Sequence, residues 1–501
     1  MPIENTIDIL GDDVAFTMVV EKTISEFYDD KLSVIGSNSF SGCSLLTTVS
    51  FPNVTEIGES AFNKCYALTE VSFPSVTTIG SYAFASCSVL TTVSFPVAKS
   101  IGSSAFTYCS SLTTVSFPSV TSIGSGAFAN CYALTTASFP SATNIGMYAF
   151  SSCSALTTVS FPAAKTIVTG AFGYCSALTS VLFPVATEIG SNAFVRCSAL
   201  TTISFPAATI IYSSAFCSCS AIIEASFPLV KSINYGVFYN CKNLTTASFP
   251  VATEIGQFAF QSCSALTTVY FPSVTFIRDN AFSLCTSLTT ASFPAVTKIG
   301  ATAFGNCSAL ISVSIPSASS IPNSVFQNCS ALTTVSFPVA TTIGSNAFYN
   351  CTALTTVSFP IVTSIGSGAF TSCKSLMAIS FPLATTIYEN AFMNCIALST
   401  LSLPEVSIIG NAAFDTCSSI TIVSLPNAMS FGIGVFARCS ALTALILANS
   451  SVMASFGTQV FYNAPNAILY VADELLASYK AQSNLASLSA SRIKPISELP
   501  T

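Results

Sequence analysis

A chain of 501 residues with 41 Phe, no Trp and only 7% charged residues is apolar enough to suggest a membrane protein, yet no apolar run reaches the roughly 18 residues a spanning helix needs. The formal net charge of −6, with no Lys/Arg-rich stretch, removes the basis for nucleic-acid binding through phosphate neutralisation. Zero His removes Ser-His-Asp and Cys-His catalysis and most catalytic zinc sites, no phosphate-binding glycine loop stands between a strand and a helix, and no acidic residues recur at a productive spacing, so no enzyme activity and no cofactor are expected.

Residues 1–32 are acidic, with Glu4, Asp8, Asp12, Asp13, Glu21, Glu26, Asp29 and Asp30. They hold one damaged unit, Ile24-Ser25-Glu26-Phe27, and are expected to form an N-terminal cap. Secretory signals open with a basic n-region and an apolar h-region. Met1-Pro2-Ile3-Glu4-Asn5 has neither, so no signal peptide is expected at this end, and a cytoplasmic location stays open.

From residue 33 to 447 the chain repeats. Cys43, Cys65, Cys87, Cys109 and Cys131 are 22 apart, and the series runs through Cys219, Cys329 and Cys417 to Cys439, with Cys217 alone outside the register. Phe40, Phe62, Phe84, Phe106 and Phe128 stand three residues before their cysteines, and the pattern continues to Phe436. A Phe-Pro pair or close equivalent comes after each cysteine, as in Phe51-Pro52, Phe161-Pro162 and Leu425-Pro426. Such a fixed period means a solenoid of about nineteen repeats.

One copy runs from Ile101 to Ser122. Thr113 to Phe117 alternates, with Val115 and Phe117 on one face and Thr114 and Ser116 on the other, the mark of a short half-buried strand. Pro118 ends it, because proline cannot donate to the ladder. Ala105, Phe106 and Cys109 fall at i, i+1 and i+4, which fits one inward-facing helical or 3-10 turn, with Ser103 where an N-cap would stand and Gly102 as a permissive backbone before it. About eight inward side chains per unit cannot offset the entropy of ordering 22 backbones, so neighbours must cover each unit's open faces. The expected fold is α/β: a long parallel sheet on one face and short helical or 3-10 turns on the other.

After Leu447 the register breaks. Phe456 to Ala464 reads as a last unit displaced by three residues, with Ala464 at the cysteine position. Asp473 to Gln482 reads as a short amphipathic helix and Arg492 to Thr501 as a tail, so 448–501 is expected to be a degenerate repeat with a helical cap.

Leu112-Thr113-Thr114-Val115-Ser116-Phe117-Pro118 together with Ala105-Phe106-Thr107-Tyr108-Cys109 resembles the BspA-like, or Treponema pallidum-type, leucine-rich repeat over roughly residues 33–447. The resemblance implies a leucine-rich-repeat solenoid with the Leu-to-Pro segment as strand and the Ala-Phe-x-x-Cys segment on the convex side. It implies a non-enzymatic adhesin-like protein, bacterial or phage-associated, that presents a repeat surface to a protein or glycan on a cell or matrix. The implied location is extracellular, at a cell surface or on a virion. Phe before the proline departs from the Ile or Leu frequent in the family. A structural or assembly scaffold is the alternative function, and an ice- or surface-binding Thr/Ser ladder a remoter one.

The odd number of equivalent inward cysteines favours core thiols over disulfides or a metal ladder, since buried Cys behaves as a small hydrophobe. Cys217-Ser218-Cys219 lacks a His partner and has Cys219 in the core ladder, so no metal site is expected and Cys217 is read as an exposed convex-side thiol. The outward strand positions are almost all Thr (Thr48, Thr92, Thr114, Thr158, Thr202) and Ser (Ser50, Ser94, Ser116, Ser160), which keep the face wet. Against that background Glu70, Leu182, Ile223, Glu224, Tyr270, Ile311 and Met377 break the pattern and form the candidate binding surface; Ala378 breaks it too.

Overall fold

The computed structural model describes residues 24–449, 451–485 and 488–500. They fall into two units, Met1–Ala208 and Thr209–Thr501, each built from the same coil. Residues 1–23, most of the expected acidic cap, lie outside the described residues.

In the first unit the alternating segment forms three-residue strands in parallel register, each offset by one repeat. Thr114–Ser116 pairs with Thr136–Ser138, which pairs with Thr158–Ser160, so that Val115, Ala137 and Val159 line up inward and the Thr and Ser columns line up outward. The damaged unit is already a coil: Glu26–Tyr28 pairs with Thr48–Ser50, and Phe27 stacks on Phe51 at 5.6 Å.

A second parallel sheet, which no periodicity in the sequence announces, is built from two-residue strands such as Ser122–Ile123, which pairs with Ser100–Ile101 and Asn144–Ile145. The second unit repeats both features, with Glu224–Ser226 on Thr246–Ser248 and Ser232–Ile233 on Glu254–Ile255.

The Ala-Phe-x-x-Cys side is not helical. Ala105, Thr107 and Cys109 donate back to the carbonyls of Gly102, Ser104 and Phe106, while Ser104, Phe106 and Tyr108 donate forward to Ser125, Ala127 and Ala129 in the next coil. Helical hydrogen bonds stay within one segment; here half of these six donors join neighbouring coils instead. The geometry is set by Ser104 (φ 54°) and Tyr108 (φ 58°), each the third residue of a turn in the left-handed region. Ser103 therefore caps no helix. Gly102 matters through close approach rather than a special φ: a Cβ on Gly124, its equivalent one coil on, would lie 2.4 Å from the Gly102 carbonyl carbon.

Eight side chains of the Ile101 repeat and its successor point inward, and all are buried: Ala105, Phe106, Cys109, Leu112, Val115, Phe117, Val120 and Ile123. Phe106 lies parallel to Phe84 and Phe128 at 5.3 and 5.2 Å, and Phe117 packs tilted against it at 6.2 Å, so two phenylalanine columns interlock. The second unit carries the same columns, with Phe260 stacked on Phe238 and Phe282.

The ladder thiols share one kind of partner. Cys109 Sγ donates to the Phe84 carbonyl at 3.2 Å, a bond repeated at 25-residue separation from Cys65 to Cys197 in the first unit and from Cys241 to Cys439 in the second. The same Phe84 carbonyl accepts the Cys87 N–H at 3.2 Å, so the thiol supplies its second hydrogen bond. Burial pushes the Cys87 and Cys307 thiols up to about 12. Cys217 is the half-exposed exception among the twenty. A thiol reagent is expected to titrate all twenty under denaturing, non-reducing conditions and chiefly Cys217 in the native chain. Fewer than about fifteen reactive groups after denaturation would mean bridges between coils.

At the C-terminal end the expected amphipathic helix is a 3-10 turn, Asp473–Leu475, leading into a five-residue helix, Leu476–Lys480. Part of the expected tail is a strand: Ile493–Pro495 pairs with Ile468–Val471. The last coil would otherwise present open backbone carbonyls. Arg492 donates to those of Ala467 and Ala464 at 2.7 and 2.8 Å, Gln482 to that of Ala454 and Asn484 to that of Phe456. Pro495 ends the sheet with a residue that cannot donate to a further strand.

Candidate functional site

The strand face divides its polar residues between two tasks. The column beginning at Thr47 is committed to the backbone. Thr91 donates both N–H and Oγ1 to the Thr69 carbonyl, at 2.9 and 3.1 Å, and Thr135 does the same to Thr113. A parallel column does so on the second sheet, as with Thr77 on Thr55. β-Branched threonine suits a strand and also closes the coil-to-coil hydrogen bonding, which explains its regularity without a ligand. The Thr48 and Ser50 columns point outward and are exposed in nearly every coil. These are the positions a partner would meet.

The candidate residues stand out from those columns. In the first unit Glu70 and Leu182 are exposed but five coils apart, Leu182 between Ser160 and Ser204. In the second unit Ile223, Glu224, Tyr270 and Ile311 fall within five successive coils on one face, and Met377 lies three coils beyond. At about 4.8 Å per coil, Glu224 and Tyr270 are roughly 10 Å apart. Tyr270 is 64% exposed, more than Leu182, Ile223, Ile311 or Met377. Ile223, Ile311 and Met377 occupy the hydrogen-bonding Thr column. They keep its backbone bonds, as Thr245 still donates to the Ile223 carbonyl at 2.9 Å and Met377 to Thr355 at 2.8 Å, but give up the hydroxyl and expose an apolar side chain. Each replacement thus exchanges an internal hydrogen bond for accessible apolar surface.

Two features lie outside the candidate set drawn from the sequence. Ile422 replaces an outward Thr and is 57% exposed; the same comparison of columns would have found it. An aliphatic residue directly after the strand-ending proline is also exposed, and Val339, Ile361 and Leu383 form such a ridge over three successive coils of the second unit. Its signal is Phe-Pro followed by Val, Ile or Leu where other repeats have Ser or Ala.

The turn side varies more, and two of its arginines reach between coils. Arg438 pairs with Asp415, one coil back, and Arg196 lies over the Tyr174 ring at 5.5 Å. Among the described residues no group of three or more Cys, Asp or Glu is placed to hold a metal ion, and no helix is long and apolar enough to cross a membrane.

A family model for the BspA type leucine rich repeat region matches six times, over residues 15–135, 99–223, 143–252, 209–333, 253–361 and 341–468. Among solved structures the chain is similar to a leucine-rich repeat protein from Bacteroides ovatus, at 22% identity over 85% of this chain and 95% of that one, with a TM-score of 0.40. The T. pallidum leucine-rich repeat protein is 32% identical over 30% of this chain and 77% of that one, TM-score 0.30. A leucine rich cell surface protein from Faecalibacterium prausnitzii is 22% identical over 76% and 88%, TM-score 0.29. A comparison with curated proteins finds no match.

Proposed function

The chain belongs to the BspA-type leucine-rich repeat family, and from that premise we propose that it is a non-enzymatic binding protein whose second-unit strand face engages a protein or glycan on a cell surface or matrix. The observation that carries this reading is the local break in an otherwise uniform Thr/Ser face. Ile223, Glu224, Tyr270 and Ile311 bring apolar area, an aromatic ring and a carboxylate to neighbouring coils of a chain with only 7% charged residues. An exposed Tyr offers large contact area at low entropic cost, and a ligand spread over several coils collects many weak contacts. An extracellular location follows the family's habit and is part of the same proposal.

The test begins by screening the labelled chain against immobilised matrix proteins and a glycan array, then titrating the strongest hit. Tyr270→Ser with Glu224→Thr restores the repeat consensus. It is expected to weaken binding by about 2 kcal/mol, roughly thirtyfold, with the thermal transition unchanged. Changing Asn63 and Lys64 to Ser, on the turn side of the first unit, is expected to leave affinity within about twofold, as substitutions outside a contact surface do. Loss of binding from the turn-side change and not from the strand-face change would place the site elsewhere.

A further inference from the structure

The turn side of the second unit contains a half-enclosed pocket of about 350 Å³ lined by Ser214, Cys217, Tyr235, Gly236, Tyr239, Phe258 and Gln261. Its origin is local. Gly236 occupies a left-handed position (φ 57°) that most coils fill with a side chain, so the surface is notched there. Tyr235 and Phe258 wall the notch, meeting edge to face at 5.4 Å and 89°.

The first unit shows what such a notch accepts. Gly170 holds the equivalent position at φ 64°, and the residue one coil before it is Tyr148 at φ 58°. The Tyr148 ring lies over the glycine so closely that a Cβ there would be 2.3 Å from Cδ1 and Cε1. The missing side chain of one coil makes a slot, and the phenol ring of the coil before fills it. At Gly236 the residue one coil before is Ser214, at the same φ of 57°, and nothing nearer than its Oγ at 3.4 Å approaches the absent Cβ. The slot is present and its ring is not.

We propose that the Gly236 notch is a small-molecule site for a planar aromatic ring of the phenol class. The ring takes the place that Tyr148 takes over Gly170, against the corner that the Tyr235 and Phe258 rings make with each other, with Ser214 and Gln261 at hand for a ring hydroxyl. Offset and edge-on contact with two aromatic walls favours a flat ring over a saturated one of equal size, and the volume is at the small end of ligand pockets. The site is separate from the strand face and stands whether or not that face binds a partner.

Cys217 lines the notch and is the half-exposed thiol of the chain, so its alkylation reports occupancy. With p-cresol as probe, iodoacetamide labelling of native Cys217 is expected to slow at least fivefold at saturating cresol and not with 4-methylcyclohexanol. Ser214→Tyr supplies the missing ring from the chain itself. This variant is expected to label slowly without ligand and to show no further effect of cresol. Phe258→Ser, a residue already used at this position in other coils, removes a wall and is expected to abolish protection if Ser214→Tyr fails to fold. Unchanged wild-type labelling at millimolar cresol, equal protection by 4-methylcyclohexanol, or undiminished cresol protection in either variant would overturn the proposal.

Discussion

Raising the pH through about 10 is expected to unfold the coils while neutral solutions leave them intact, and the cause is the thiol ladder. A reduced, solvated Cys ionises near 9, whereas burial holds Cys87, Cys307 and Cys373 at about 12. Below pH 9 both native and unfolded thiols are protonated and the array keeps its full stability. Between 9 and 12 the unfolded chain releases protons that the native chain retains, so each further pH unit costs about 1.4 kcal/mol per thiol. At pH 10 this is about 1.4 kcal/mol per thiol, so a block of five or six coils loses about 7–8 kcal/mol, much of the 5–15 kcal/mol typical of a folded domain. Far-ultraviolet circular dichroism and thiolate absorbance, recorded together, are expected to change in one steep transition that begins above pH 9. Structure that persists to pH 12, or thiolate absorbance that rises while the dichroism stays native, would mean that the cysteines are not a buried, equivalent set.

The second large effect is expected from Phe106→Ala. Phe106 is fully buried, stacked on two rings and packed against Phe95 and Phe117, so its removal leaves a cavity with rigid walls. The expected cost is about 3–5 kcal/mol. Because each coil touches its neighbours and little else, the loss should appear first as faster hydrogen exchange in the coils of Phe84 and Phe128, at amides such as Phe84 N–H, which is bonded to the Ala105 carbonyl at 2.7 Å. A uniform rise across the first unit with no gradient from residue 106 would contradict this nearest-neighbour picture.

What could be read from the sequence was whatever repeats in residue type. Cysteine and phenylalanine registers gave the period, and the alternation from Thr113 to Phe117 gave the strand and its inward face. Features set by backbone geometry were hidden. The spacing of Ala105, Phe106 and Cys109 is equally satisfied by a helical turn and by two turns closed on left-handed residues. Ser104 and Tyr108 do not advertise a positive φ as glycine would. The second sheet rests on a single buried Ile123 beside a Ser or Thr, too short a run for any periodicity to register. Ile493–Pro495 reads as tail because its pairing with Ile468–Val471 is not a matter of period. On the candidate surface, Tyr270 and Glu224 were visible as exceptions to a column. The Gly236 notch was not, because it depends on which neighbour fails to fill it.

The claim that function lies on the second unit's strand face is tested most directly by hydroxyl-radical footprinting of the chain with its best-binding matrix protein or glycan. Tyr270 and Met377 on the strand face and Tyr235 and Tyr239 on the turn side are all exposed to label in the isolated chain. Binding is expected to reduce oxidation of Tyr270, with Ile223 and Ile311 following, and to leave Tyr235 and Tyr239 at their unbound rates. Protection of Tyr235 and Tyr239 with Tyr270 still fully oxidised would contradict it.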